Sequence, residues 1–185
     1  MTTYTLSKNS PRNTVLTDPD GNIAYKIFTP FTLKNITTTI TRAEKSDLVA
    51  VIHWNVTDKN EITMNGVTKR INDVFPKTKT LGRSRVYTTP DGEKFKWKNL
   101  IKLYCVSEPT GLNIATYYKV FFGGHREKKS TLDIAPSALH LSDILVGSDM
   151  GYYGKRRGRL KPFQADTPSH NVAAILQRTS IASSS

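Results

Sequence analysis

The chain has 185 residues, of which 37% are hydrophobic, and a net charge of +12. This length suffices for one ordinary domain with a substantial core, and the modest hydrophobic fraction predicts that part of the chain lies outside that core. The single cysteine, Cys105, excludes an internal disulfide. The N-terminus lacks a signal-peptide pattern, and no stretch approaches the roughly 18 apolar residues of a membrane-spanning helix. We therefore expect a cytoplasmic protein without a transmembrane segment, with a membrane-peripheral or nuclear location as alternatives.

Short segments with alternating or β-branched residues predict strands through the first third of the chain. A turn containing Pro-Asp-Gly at residues 18–22 separates two of them. Residues 48–54 are almost continuously apolar, which is typical of a strand covered on both faces. The strands predicted here are 4–7, 13–17, 23–29, 37–41, 48–54 and 61–65, the last ending at Gly66 as a hairpin.

A second Pro-Asp-Gly turn, at residues 89–92, joins the predicted strands 85–88 and 94–100 as a hairpin. Residues 101–106 and 115–122 predict a further strand pair. Strands at this spacing, without helices between them, favour a sandwich or barrel over parallel βαβ units.

One late segment has helical periodicity. Leu141, Leu145 and Tyr152 recur near helical spacing, and Ser142 fits an N-cap with Asp143 in the first turn. These features predict a helix over about 142–154. The glycines at positions 147 and 151 weaken the helix by about 1 kcal/mol each relative to alanine. Their presence is explained if neighbouring elements pack closely against the helix.

The C-terminal residues are poor in large apolar side chains and end in three serines. Such a stretch cannot bury enough surface to offset its ordering entropy. We therefore predict one domain over 1–160, which includes the helix, followed by a flexible tail over 161–185.

The sequence contains no recognisable catalytic or metal-binding set. Its four histidines are far apart, and it has neither a His-Glu-x-x-His motif, nor a cysteine pair, nor a nucleophile elbow. Cys105 lies in an apolar predicted strand, where a buried, inert thiol is expected. We therefore predict a protein that is not an enzyme and holds no metal and no cofactor.

Two segments account for the whole net charge. Residues 67–102 contain ten basic and three acidic side chains, and residues 155–161 contain five basic and no acidic ones. A charge excess this localised predicts an anionic partner, either a lipid surface or another polyanion such as nucleic acid. The alternative is a basic surface that serves solubility alone.

The sharpest local pattern is Lys94-Phe95-Lys96-Trp97-Lys98. In a strand, this alternation places three lysines on one face and two aromatic rings on the other. An ordinary amphipathic strand explains the pattern without any ligand. The functional hypothesis is a phosphate-facing patch of these lysines with two arginines across the hairpin. The predicted anion- or lipid-binding residues are Arg83, Arg85, Lys94, Lys96, Lys98, Lys155, Arg156, Arg157 and Arg159.

The basic segment 155–161 has several interpretations. It fits a nuclear-import signal, a nucleic-acid contact or a polybasic patch beside a membrane. It also fits a solvated helix end that complements the helix dipole, although five charges in seven residues exceed what capping requires.

The order of motifs along the chain resembles a known family. The motifs are Tyr4-Thr5-Leu6-Ser7, the turn at 18–21 with Ile23-Ala24-Tyr25-Lys26-Ile27, the turn at 88–92 with Phe95-Lys96-Trp97, and Leu132-Asp133-Ile134 before a helix and a basic end. Over roughly residues 1–159 they resemble a fungal family of uncharacterised domains similar to the tubby, phospholipid-scramblase and LURP-one-related superfamily. The resemblance implies an all-β fold with one helix, a closed or nearly closed antiparallel β-barrel around a C-terminal hydrophobic helix.

The resemblance also implies a tendency of some members to contact membrane-lipid headgroups. The expected function is therefore a non-enzymatic binding or adaptor module that contacts anionic lipid headgroups through a basic surface. The alternative is a nucleic-acid-associated nuclear protein that uses the same basic patches. Strand alternation places Phe95 and Trp97 away from the lysines, which counts against stacking on single-stranded nucleic acid.

Overall fold

The computed structural model describes residues 1–30, 36–43, 47–55, 59–79, 84–99, 102–120 and 128–148. These residues form twelve strands, two short α-helices and a 3₁₀ turn. Several predicted features lie outside the described residues: Arg83, the end of the predicted helix, the basic segment 155–161 and the tail 161–185.

The strands occur in two runs along the chain. The first run comprises β1 (Thr2–Leu6), β2 (Thr14–Thr17), β3 (Ile23–Phe28), β4 (Ile36–Arg42), β5 (Leu48–Trp54), β6 (Glu61–Met64) and β7 (Val67–Arg70), followed by the one-turn helix α1 (Ile71–Val74). The second comprises β8 (Arg85–Thr88), β9 (Lys94–Asn99), β10 (Leu103–Ser107), β11 (Asn113–Tyr118) and β12 (Thr131–Ile134). A 3₁₀ turn, Pro136–Leu141, then leads directly into a helix over 142–148, called α2.

All twelve strands belong to one antiparallel sheet in the order β7-β6-β5-β4-β3-β2-β1-β12-β11-β10-β9-β8. The predicted mainly β, antiparallel class is therefore confirmed. The sheet is not closed, because β7 and β8 are its two edge strands. The closed or nearly closed barrel implied by the resemblance is thus not observed in the described part of the chain. The physical reason lies between the edges, where the segment after α1 pairs with β8, through a bridge of Lys77 with Arg85, on the side that β7 would need.

Strand register produces one continuous apolar face. Leu6 lies opposite Leu16, and Leu16 lies opposite Tyr25, so that large side chains from successive strands meet on the same side. The pairing of Ile27 with Ile40 and of Ile40 with Ala50 extends this face toward β5. All of these side chains are buried. The alternation that predicted the strands therefore also builds the core.

Two kinds of turn hold the hairpins in register. Gly21 and Gly92, the glycines of the two Pro-Asp-Gly turns, have φ of +85° and +88°, a region that suits glycine. Asn65 and Gly66 also have positive φ, as a two-residue hairpin loop requires. That loop connects β6 to β7, a strand the sequence analysis missed because its four residues, Val-Thr-Lys-Arg, are all exposed.

Helix α2 packs against the apolar face of the sheet, and its Leu145 and Val146 are fully buried. The phenol of Tyr25 on β3 donates a hydrogen bond to Asp143 at 2.8 Å, and the guanidinium of Arg42 on β4 forms an ion pair with the same carboxylate. At the other end of α2, Trp97 on β9 contacts Ser148. Because β3 and β9 are far apart in the sheet order, the sheet must curve over the helix.

The N-cap of the helical region differs from the prediction. Ser142 has αR dihedral angles, and its hydroxyl donates to the carbonyl of Leu139, so it is not an N-cap. The helical run instead begins at Pro136, where the ring supplies the required φ and no N–H is needed. Asp143 consequently lies inside the run, where its carboxylate binds two strands instead of a free helix end.

Candidate functional site

The strand β9 positions the predicted lysines as the sequence pattern indicates. Phe95 and Trp97 are buried, with 4% and 1% of their surfaces exposed, and pack in the core. Lys94 is exposed and Lys96 and Lys98 are half-buried on the opposite side of the strand. Three cationic side chains therefore share the outer face of the sheet.

Arg85 does not join these lysines. In the β8–β9 hairpin it lies opposite Trp97, so its side chain is on the inner face, where it is only 6% exposed. Its guanidinium donates hydrogen bonds to the carbonyl oxygen of Phe75 and, at 3.4 Å, to the side chain of Asn72. The predicted surface shared by Arg85 and the lysines is therefore not formed, because Arg85 stabilises the segment after α1.

The five remaining predicted residues lie outside the described part of the chain. They are Arg83, Lys155, Arg156, Arg157 and Arg159. The lysines of β9 are thus the part of the predicted site that the structure brings together.

Two tyrosines complete the outer face beside the lysines. Lys98 lies opposite Tyr104 on β10, with its Nζ 5.9 Å from the centre of the ring. The Nζ of Lys102 lies 4.9 Å from the ring centre of Tyr118 on β11. Both distances are typical of cation–π contacts. We call the set Lys94, Lys96, Lys98, Lys102, Tyr104 and Tyr118 the lysine–tyrosine face.

Sequence reasoning missed the residues that β10 and β11 contribute to this face. The predicted site was based on β9, where lysines and aromatics alternate within one strand. The available signal was the alternation of Lys102, Tyr104 and Val106 in the neighbouring strand, which places them on one side. Only the pairing register shows that this side is the one that carries Lys98.

Asp133 marks the far border of the face. It lies on β12, opposite Thr116 of β11, and one of its carboxylate oxygens is buried without a hydrogen-bond partner in the structure. Across β9 and β10, in contrast, the described side chains on this side are basic, hydroxyl-bearing or apolar. The positive charge is therefore concentrated at the β9–β10 end of the sheet.

The thiol of Cys105, which could act as a nucleophile, lies away from the lysine–tyrosine face. Cys105 is fully buried on the inner face, and burial raises the pKa of its thiol well above the ordinary value. The described ranges contain no cluster of three or more histidine, cysteine or carboxylate side chains that could hold a metal ion. Nor do they contain a helix that is long and apolar enough to cross a membrane.

The comparisons with known proteins give one structural similarity and one family. No curated protein matches the chain. The X-ray structure of a protein from Arabidopsis thaliana is 13% identical to the chain, with a TM-score of 0.46, over 80% of this chain and 89% of the other. The expected fungal origin and relation to the tubby, phospholipid-scramblase and LURP-one-related group stay predictions. Residues 9–157, most of the chain, match a family described as a family of unknown function (DUF6593), and the chain therefore belongs to that family.

Proposed function

We propose that this protein is a non-enzymatic binding or adaptor module that contacts anionic membrane lipid headgroups through the lysine–tyrosine face. The observation that carries the proposal is the placement of Lys98 and Lys102 over Tyr104 and Tyr118 on the outer face of the sheet. The aromatic residues of β9 are packed in the core, so the lysines of that strand extend from a rigid base.

The lysines supply the attraction. A basic residue near an anionic leaflet contributes about 1 kcal/mol, and several on one face add to each other. Lys94, Lys96 and Lys98 recur at every second position of β9, so their side chains lie on the same side of the sheet. A row of cations of this kind suits an extended anionic surface.

The tyrosines favour lipid over nucleic acid as the partner. A tyrosine ring is amphipathic and suits the boundary between headgroups and water. Stacking on single-stranded bases would need a free ring face, whereas a lysine lies over a face of each ring. The nucleic-acid alternative therefore depends on phosphate contacts alone.

An exposed leucine at the end of the face points to the same partner. Leu112, in the turn between β10 and β11, is 67% exposed. The amide of Glu108 in that turn donates to the carbonyl of Lys94 at 2.8 Å, which places the turn beside the lysines. An exposed apolar side chain in a turn that adjoins the lysine strand suits the acyl boundary of a bilayer better than a phosphodiester backbone.

The finer architecture implied by the resemblance belongs to this proposal as well. We propose that the curved sheet is a tubby-like barrel that surrounds α2 and stays open between β7 and β8. The idea is supported by the contacts of α2 with β3 and β9, which lie far apart in the sheet order.

The test is cosedimentation with phosphatidylcholine vesicles that contain or lack phosphatidylserine. We expect salt-sensitive binding to the anionic vesicles, because charges are screened beyond about 8 Å at physiological ionic strength. A Lys94/Lys96/Lys98→Glu triple variant should bind about a hundredfold more weakly. The matched control is Lys8/Lys26/Lys59→Glu, which changes the net charge equally at exposed positions elsewhere.

The control decides between a specific face and general attraction. If both triple variants lose binding equally, net charge and not the lysine–tyrosine face is responsible. Equal binding by the wild type and the β9 variant, or no binding at low salt, contradicts the proposal. Salt-sensitive binding to duplex DNA that only the β9 variant loses would favour the nucleic-acid alternative.

A further inference from the structure

A cleft of about 520 Å³ lies between the two edge strands of the sheet. The β6–β7 hairpin forms one wall, with Met64 and Val67 among its lining residues. The end of β8 and the turn after it form the other wall, which includes Tyr87, while Val74 of α1 lies between them. The cleft is therefore bounded by strand backbone on two sides.

Two residues of β7, Val67 and Lys69, line this cleft, one on either side of Thr68. All four residues of β7 are exposed, and in the described part of the chain β7 pairs only with β6. Val67 pairs with Met64 next to the two-residue turn, and Thr68 pairs with Thr63. In an antiparallel ladder, inward and outward hydrogen bonding alternates, so the N–H and C=O of Thr68 point away from β6. β7 thus offers backbone groups for a further strand.

The opposite edge is held away from β7. The amide of Val86 donates to the carbonyl of Pro76 at 3.0 Å, and Lys77 forms a bridge with Arg85. The hydrogen bond from Arg85 to the carbonyl of Phe75 fixes the same segment. These contacts keep the two edges apart, so the open side of β7 faces a cleft instead of β8.

The side chains around the cleft indicate what could fill it. Apolar side chains line the cleft together with two charged ones, Lys69 and Asp73. The ring of Tyr87 lies between two phenylalanine rings, tilted against Phe75 at 5.3 Å and stacked on Phe95 at 6.5 Å between ring centres.

Between residues 67 and 79 the chain carries four basic side chains and one acidic one. Arg70 is exposed on the outer side of β7, where it lies opposite the half-buried Glu61 of β6. Apolar side chains toward the cleft and acidic side chains toward Arg70 would complement both surfaces.

We propose that this cleft binds an extended acidic peptide segment of a partner protein, which pairs with the free edge of β7 as an added strand. Side chains alternate along a strand, so the matching peptide alternates apolar and acidic residues. Main-chain hydrogen bonds to Thr68 supply affinity, and the apolar cleft with Arg70 supplies specificity.

The probe is the blocked peptide Val-Glu-Val-Glu-Val-Glu-Val carrying a fluorescent label, with binding followed by fluorescence anisotropy. The full chain should bind it saturably and should bind the corresponding Val-Lys peptide much more weakly. A version N-methylated at every amide should not bind, because neither of its edges can donate to β7.

Two substitutions at one position test the backbone contact. Thr68→Pro removes the outward N–H and should weaken binding at least about tenfold. Thr68→Ala keeps that N–H and should bind like the wild type. Both variants lose the hydrogen bond between the hydroxyls of Thr63 and Thr68 at 2.7 Å, so this loss cancels in the comparison. Arg70→Glu should weaken binding, whereas Lys26→Glu on β3 should not.

Circular dichroism of Thr68→Pro tests whether the variant is folded. If the variant is unfolded, comparison of the methylated and unmethylated peptides tests strand pairing instead. Absence of saturable binding to the wild type overturns the proposal, as does equal binding of the methylated and unmethylated peptides. Equal affinity for the glutamate and lysine peptides overturns the acidic specificity.

Discussion

The indole N–H of Trp97 donates a hydrogen bond to the hydroxyl oxygen of Ser148 at 2.8 Å, and both side chains are buried. Ser148 in turn donates to the carbonyl of Leu145 at 3.0 Å. The pair joins β9, which carries the lysines of the lysine–tyrosine face, to the helix on the opposite side of the sheet. A polar contact inside the core therefore helps to hold in place the strand that carries the outer lysines.

The first prediction removes one partner of that contact. Ser148→Ala leaves the indole N–H of Trp97 buried without an acceptor, which should lower the free energy of unfolding by about 1–3 kcal/mol. Urea denaturation measures the change, with Ser10→Ala at an exposed position as the control. The double variant Trp97→Phe/Ser148→Ala should lose less free energy of unfolding than the sum of the losses of the two single variants. The reason is that the double variant leaves neither polar group without a partner. Strict additivity would contradict the contact.

The second prediction concerns the burial of α2. Leu145 is 1% exposed, and its truncation to alanine should cost about 2–5 kcal/mol because a cavity forms in the core. Leu139, in the 3₁₀ turn before α2, is 39% exposed, and the same truncation there should stay near ±0.5 kcal/mol. Chemical denaturation compares the two variants. Similar small effects would mean that α2 is not enclosed by the sheet.

The third prediction concerns Gly147. The sequence suggested that close neighbours require a glycine in this helix. However, a Cβ built at Gly147 would lie 3.6 Å from the Cε of Met64 and 3.9 Å from the Cβ of Ala50, which is ordinary contact. Gly147→Ala should therefore stabilise the protein by up to about 1 kcal/mol through helix propensity. A lower melting temperature for this variant would show that the helix lies closer to β5 and β6.

The fourth prediction concerns alkaline pH. Burial, followed by the hydrogen bond to Asp143, raises the pKa of Tyr25 well above its ordinary value of 10.0. Above about pH 10 the unfolded chain loses this proton while the folded protein retains it, so stability falls as the pH rises. Tyr25→Phe removes this contribution, and its free energy of unfolding should fall less steeply above pH 10 than that of the wild type.

Denaturation midpoints measured between pH 8 and pH 11 make this comparison. Burial also raises the pKa of Cys105, but that thiol is present in both proteins and its effect cancels. Below pH 10 the variant should be less stable by about 1–2 kcal/mol, because it lacks the hydrogen bond to Asp143. Parallel pH profiles above pH 10 would contradict the role assigned to Tyr25.

Local patterns in the sequence determined most of the strands and turns. The alternation around Phe95 and Trp97 correctly separated a core face from a lysine face, because successive side chains of a strand point to opposite sides. The two Pro-Asp-Gly segments were correctly predicted to be turns, because only glycine adopts the positive φ at Gly21 and Gly92 without strain. Both results depend on neighbours within a few residues along the chain.

Local sequence patterns could not determine which side chains lie opposite each other on neighbouring strands. The prediction placed Arg85 with the lysines, but the register opposite Trp97 turns that side chain into the core. It overlooked Tyr104, whose position over Lys98 depends on the pairing of β9 with β10. Shifting a register by one residue would exchange the two faces of a strand, and local sequence does not specify the partner.

Tertiary structure also decided where the sheet ends. The family resemblance implied a closed or nearly closed barrel, whereas β7 and β8 remain separate edges of the described sheet. The contacts of Arg85 and Val86 with the segment after α1 occupy the side of β8 that closure would use. The buried guanidinium of Arg85 donates to the carbonyl of Phe75, which lies ten positions earlier in the chain. Because arginine is charged, the sequence predicted that Arg85 lies at the surface, and only the tertiary packing places it in the core.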